Sequence, residues 1–256
     1  MGHIRLGTLS QSKKWREVVG LLDSNAPLEQ IAEASAKASE RDFLRASNDP
    51  NFQFVTKLLV ELPFLARSPN FMEKLEELGI GSNSIDSVTA LLNGIELAID
   101  RNSYDIGHAS DIGELAKSSL VESLSRKLEQ RLPSLFEPTP QEIRKELASF
   151  ASGSNFADLT RDFFARLNYR SLDYYLSREL ANHIGDNRRF ASDFERREFQ
   201  QALAQHAQEA SLIVKEFAAG WYGKTVWQEG DLSQAAINRF TSFAFKKMRD
   251  ELGRRR

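Results

Sequence analysis

Apolar residues recur with a helical period along almost the whole chain, and this pattern constrains the fold more than any other feature. Residues that favour the start of a helix precede several of the apolar segments. Pro50 suits the first turn of a helix, and the pairs Thr139 with Glu142 and Ser192 with Glu195 have the spacing of capping boxes. No alternating run of β-branched residues between turn signals predicts a strand. The sequence therefore predicts an all-α, multi-helix bundle of about nine to ten helices.

Three of the seven prolines fall between residues 133 and 140, which makes this segment the best candidate for a boundary. We expect an N-terminal helical half, residues 1–132, and a C-terminal helical half, residues 141–256, which either pack closely or form one domain. The C-terminal half contains two long apolar patterns, 155–184 and 192–219, separated by a short connection. Such a connection predicts that the two helices form a long antiparallel hairpin.

The composition excludes several classes of site. The chain of 256 residues has no cysteine, so it can form neither a disulfide nor a cysteine-ligated metal site. Its formal net charge of −2 favours no particular partner, and no apolar run approaches the roughly 20 residues that span a membrane. We expect a cytoplasmic protein without a cofactor, a metal site or a membrane partner.

The segment from residue 146 to residue 214 contains eight arginines and no lysine. On the first long helix, Arg170, Tyr174 and Arg178 are spaced by four residues, and Tyr175 and Glu179 lie on the adjacent stripe. Arginine is preferred over lysine for planar stacking and for bidentate binding of carboxylate or phosphate. The pattern predicts either a binding site or an internal network of arginine–tyrosine and arginine–acid contacts.

Arg178 and His183 also have the spacing of a loose motif, an arginine followed after about four to six residues by a histidine. Arg101 and His108 have this spacing as well. The motif resembles that of the HEPN ribonucleases, which are small helical bundles. The resemblance covers only these few residues, and it implies that both side chains act on an RNA backbone at a dimer interface. The alternative for His183 is an exposed pair with Glu179.

His206 lies on the apolar stripe of the second long helix. A buried imidazole needs a hydrogen-bond partner, and counting along the hairpin places Tyr174 or Arg170 near its level. We therefore expect a buried His206 bonded to one of these two residues.

Trp221, Tyr222 and Trp227 fall within residues 220–231, which we expect to form a loop. Large aromatic residues on a loop either anchor a partner or fold back over helix ends. Both interpretations remain open for these three residues.

The end of the chain is basic, since residues 239–256 include seven basic residues and two acidic ones. Basic residues are favourable at the negative end of a helix dipole, and they are also candidates for contacts with nucleic acid. The candidate contact residues are Lys246, Lys247, Arg249, Arg254, Arg255 and Arg256.

The sequence contains no complete catalytic set and no cofactor-binding loop. The leading interpretation is a helical interaction protein, an accessory subunit of a larger cytoplasmic assembly, with other protein subunits as partners. A metal-independent HEPN-like ribonuclease that uses Arg178 and His183 is the alternative. A nucleic-acid binder that uses the basic C-terminus is the third interpretation.

Overall fold

The computed structural model describes residues 12–46, 48–132, 137–226 and 232–252. No β-strand forms among these residues, and the predicted all-α class is confirmed. Two 3-10 helices (Ser82–Ile85 and Ala181–His183) accompany eleven α-helices. The α-helices are α1 (Lys13–Asp23), α2 (Leu28–Ala46), α3 (Pro50–Leu65), α4 (Phe71–Glu77), α5 (Val88–Asp105), α6 (Asp111–Glu129), α7 (Pro140–Ser149), α8 (Gly153–Leu180), α9 (Asp193–Ala210), α10 (Leu212–Lys224) and α11 (Gln234–Leu252).

Local signals begin and end several helices. At the start of α7, Thr139 Oγ1 accepts from the amide of Glu142, and the Glu142 carboxylate accepts from the amide of Thr139 at 2.8 Å, which completes a capping box. After α4, Gly79 takes a left-handed backbone conformation with φ of +79°. The amide of Ile80 then donates to the Leu75 carbonyl at 2.9 Å, and the Ile80 side chain is buried.

Helix α8, with 28 residues, lies at the centre of the molecule and packs against α6, α9 and α10. Because neighbours surround it, its buried residues occupy more than one side of the helix. The largest buried side chains along α8 are Phe156, Phe163, Phe164 and Tyr175.

The second half contains the predicted antiparallel arrangement. Gln200 in α9 donates to Asp173 in α8 at 2.7 Å, and Lys215 in α10 pairs with Asp158 at 2.7 Å. Residue numbers rise along α9 and α10 as those of their contacts in α8 fall, so the first arm of the hairpin, α8, runs antiparallel to the second arm, α9 with α10. The second arm is two helices rather than one, because the chain bends at Ser211, and α10 continues into residues that the sequence predicted as a loop.

Contacts join the two sequence halves. Arg144 in α7 donates from Nε to the Ala66 carbonyl at 3.0 Å and from Nη2 to the Ser68 carbonyl at 2.6 Å, beyond the end of α3. Core residues from both halves pack in one cluster. The boundary near residues 133–140 stays a prediction, and residues 133–136 lie outside the described residues.

Within the described ranges, no helix is both long enough and apolar enough to cross a membrane.

Candidate interaction surface

The arginine side of α8 lies against α6. Arg170 forms an ion pair with Glu122 of α6, and Arg166, one turn earlier, pairs with the same carboxylate at 2.5 Å. Arg166 also bonds to Asp162 at 2.8 Å. Burial acts to lower the pKa of Arg166, but the hydrogen bonds and charges of the two carboxylates outweigh it, so this pKa is raised.

Tyr174 continues the same stripe. Its hydroxyl donates to Asp111 Oδ2, at the start of α6, at 2.6 Å, and the guanidinium of Arg178 lies 4.7 Å from the centre of its ring. Burial and then the hydrogen bond to Asp111 raise the pKa of Tyr174. The stripe therefore has the contacts that the internal-network alternative predicts.

The adjacent stripe contacts different elements. Tyr175 is buried, and its ring centre lies 4.8 Å from that of Trp15 in α1. Glu179 accepts a hydrogen bond from Asn182 at 3.4 Å, at the end of α8. Tyr175 thus belongs to the core, and Glu179 belongs to the helix end.

Arg178 and His183 have different neighbours. Arg178 is exposed, whereas only 4% of His183 is exposed and its Nδ1 lies 3.4 Å from Oδ1 of Asp23 in α1. The expected exposed pair of His183 with Glu179 is wrong. The reason is that the chain leaves the α-helical path after Leu180, and His183 then faces α1.

The second motif match lies at the end of α5. Arg101 is exposed on the helix, and His108 follows Gly107, which has φ of +62°. His108 Nε2 lies 2.8 Å from Oδ2 of Asp49, the residue that caps α3. His108 therefore attaches the connection between α5 and α6 to the start of α3.

The prediction for His206 is wrong in both its burial and its partner. The side chain is half-buried, and Nε2 donates to the Leu252 carbonyl at 3.0 Å, at the end of α11. The buried face of α9 consists of Leu203, Ala207 and Ala210, so His206 lies at the edge of that face, next to α11.

The expected loop with three aromatic residues is also wrong for the part that is described. Trp221 and Tyr222 lie in α10, where Trp221 stacks on Phe240 with ring centres 4.1 Å apart and Tyr222 stacks on Phe156 at 3.9 Å. Burial raises the pKa of Tyr222 strongly. Trp227 lies outside the described residues.

A different set of residues forms an exposed surface that combines an aromatic ring with basic side chains. The α11 face comprises Arg239, Phe243, Lys246 and Lys247, which follow one side of the helix at steps of three or four residues. Phe243 is 44% exposed, although its ring meets that of Phe217 at 82° with centres 4.8 Å apart. The Lys247 ammonium group lies 5.5 Å from the centre of the Phe243 ring.

The basic residues of the α11 face have no carboxylate partner within the described ranges. Arg249, in the next turn, differs because it pairs with Asp250 at 2.7 Å. Arg254, Arg255 and Arg256 lie outside the described residues. Lys246 and Lys247 are two of the residues predicted as candidate nucleic-acid contacts, and Arg239 and Phe243 lie on the same side of α11.

Phe243 does not stand out in the sequence because two other phenylalanines, Phe240 and Phe245, lie close to it in α11. The spacing of four residues from Arg239 to Phe243, and again to Lys247, is the signal that could have identified it. Reading that signal requires the register of α11, which its buried residues Ile237, Phe240 and Ala244 determine.

No group of three or more histidine, aspartate or glutamate side chains in the described parts of the chain is arranged to hold a metal ion. Comparisons of the chain with protein-family models, with curated proteins and with solved structures find no match.

Proposed function

We propose that this protein is a helical interaction protein, an accessory subunit that binds another protein through the α11 face. The observation that carries the proposal is the exposed Phe243 between basic residues that have no described acidic partner. Aromatic and arginine side chains supply much of the binding energy of protein interfaces. By contrast, Arg166 and Arg170 of α8 are already paired with Glu122, and Arg166 also with Asp162.

The α11 face is the centre of such an interface rather than the whole of it. A stable complex covers about 800 Å² on each partner, which is more than four side chains provide. We therefore expect the adjoining surface of α10 around Phe217 to take part, since this ring already contacts Phe243. The ribonuclease alternative has weaker support, because Arg178 and His183 have different neighbours.

The test places a photo-reactive benzoylphenylalanine at position 243 in the full-length protein, expressed in its native cells. The matched control carries the same group at Phe194, which is 62% exposed at the start of α9 and lies next to Asp193 and Glu195. After irradiation, adducts are separated by mass and treated with protease or with nuclease.

We expect a discrete protein adduct at position 243 that is absent at position 194. The adduct should also disappear when Arg239 and Lys247 are changed to glutamate. An equal pattern at both positions, or no adduct at position 243, would overturn the proposal. A nuclease-sensitive adduct would instead support the interpretation as a nucleic-acid binder.

A further inference from the structure

The α11 face also restricts the chemistry of its partner. We infer that it binds an acidic amphipathic helix of another protein, an inference that rests on the proposed function. The face contains a cation, an aromatic ring and a second cation in sequence, at Arg239, Phe243 and Lys247. With a rise of about 1.5 Å per residue, each step is about 6 Å along the axis of α11.

A helix has the matching periodicity. Acidic side chains at two positions about eight residues apart, with an apolar side chain midway between them, lie on one face of a helix at the same spacing. Such a segment places one carboxylate near Arg239, one near Lys247 and an apolar group against Phe243. Charge complementarity of this kind sets the register of the two helices and favours an acidic partner over a basic one.

The surroundings of Phe243 favour a protein segment over a single-stranded nucleic acid. Base stacking requires a free, flat ring face. One face of Phe243 lies under the Lys247 ammonium group, and Phe217 meets the ring at nearly a right angle. An apolar side chain needs no free flat face and can pack against the exposed part of the Phe243 side chain.

The distance between the two cations also suits one short helix. Arg239 and Lys247 are eight residues apart, which is about 12 Å along the axis of α11, or just over two turns. A single helical segment of the partner therefore spans both cations.

The experiment measures binding of fluorescent probes to the full-length protein by anisotropy. The probes are a helical peptide of about four turns with the glutamate–leucine–glutamate pattern, the same peptide with lysine in place of glutamate, and an oligothymidine of similar length. The protein variants are R239E/K247E and F243A. The control variant R16E/K145E reverses two exposed charges on α1 and α7, far along the sequence from α11.

We expect the acidic peptide to bind the parent and the control alike. R239E/K247E should weaken its binding by about tenfold or more, F243A should weaken it by several-fold, and the lysine peptide should not bind. Circular dichroism melts verify that every variant is folded. Equal binding of the acidic peptide to R239E/K247E, no binding to the parent, or tighter binding of oligothymidine would overturn the inference.

The two proposals fail in different ways. If the acidic peptide does not bind but position 243 still forms a protein adduct, the surface binds a partner of other chemistry and only this inference is wrong. If position 243 forms no adduct, the proposed function is wrong as well.

Discussion

The register of α11 can be tested by two substitutions three residues apart. Phe240 is 3% exposed, and its ring lies among those of Trp221, Phe164 and Phe156, at centre distances of 4.1, 6.2 and 6.3 Å. Phe243, on the outer side of the same helix, is 44% exposed. Replacement by alanine removes the same atoms at both positions, so a difference in stability reports the difference in burial and packing between the two rings.

The structure sets the expected magnitudes. Truncation of a buried phenylalanine costs about 3–5 kcal/mol, because it combines lost transfer free energy with a cavity. Full burial of a phenylalanine side chain contributes about 1.5–3 kcal/mol, so the partly exposed Phe243 should lose only about 1 kcal/mol. For a chain of this size, each kcal/mol lowers Tm by roughly 2–4 °C. We expect Phe240→Ala to lower Tm by about 6–20 °C and Phe243→Ala by about 2–4 °C.

Urea unfolding followed by far-ultraviolet circular dichroism provides the free energies of unfolding. An m-value equal to that of the parent shows that both variants unfold from comparable states. Equal losses at the two positions would refute the register of α11. The proposed surface would then be incorrect too, since Phe243 would belong to the core.

Other predictions concern the packing elsewhere. Gly94→Ala should destabilise the protein by about 1–3 kcal/mol, because a Cβ there would lie 2.2 Å from the hydroxyl of Ser84. Gly20→Ala should stabilise it by about 0.5–1 kcal/mol, because a Cβ there has no neighbour within 4 Å. Shifts of the denaturant midpoint in the same direction for both variants would contradict these predictions. Tyr174→Phe should cost about 1 kcal/mol at neutral pH through the lost bond to the carboxylate of α6. Because the folded-state pKa of Tyr174 is raised, this contribution is complete below about pH 10 and is lost as pH rises through the folded pKa. A difference in unfolding free energy between parent and variant that stays constant from neutral to strongly alkaline pH would be inconsistent with this. His206→Ala should cost about 0.5–1.5 kcal/mol by removing the bond to the Leu252 carbonyl, and unchanged stability would show that this contact contributes nothing.

The predictions about local structure were correct where a few adjacent residues decide the outcome. The capping box at Thr139 and Glu142 formed completely, as its spacing predicts. At Ser192 only half of the predicted box formed, because the Glu195 carboxylate bonds to the amide of Ala191 instead. Each outcome depends on backbone groups within about one turn of the helix.

Predictions about the second arm of the hairpin failed where packing decides. The apolar pattern continues through Ser211, yet the chain bends there and α10 turns its aromatic residues towards α8 and α11. Trp221 and Tyr222 looked like loop residues because they lie beside Gly220 and Gly223. Stacking on Phe156 and Phe240 outweighs the low helix propensity of glycine, which is only about 1 kcal/mol per residue.

By itself, the sequence determined that the chain is helical and where most helices begin and end, since periodicity and caps act over short distances along the chain. Only the tertiary structure decided which residues are available for binding. Arg166 and Arg170 of α8 form internal ion pairs because Glu122 of α6 lies against them, and His206 bonds to the Leu252 carbonyl instead of to Tyr174. The physical reason is that burial and ion pairing depend on residues distant in the chain, whose positions no local pattern specifies. The same reason explains why Phe240 is in the core while Phe243 faces solvent, although both stand in the same run of apolar and basic residues.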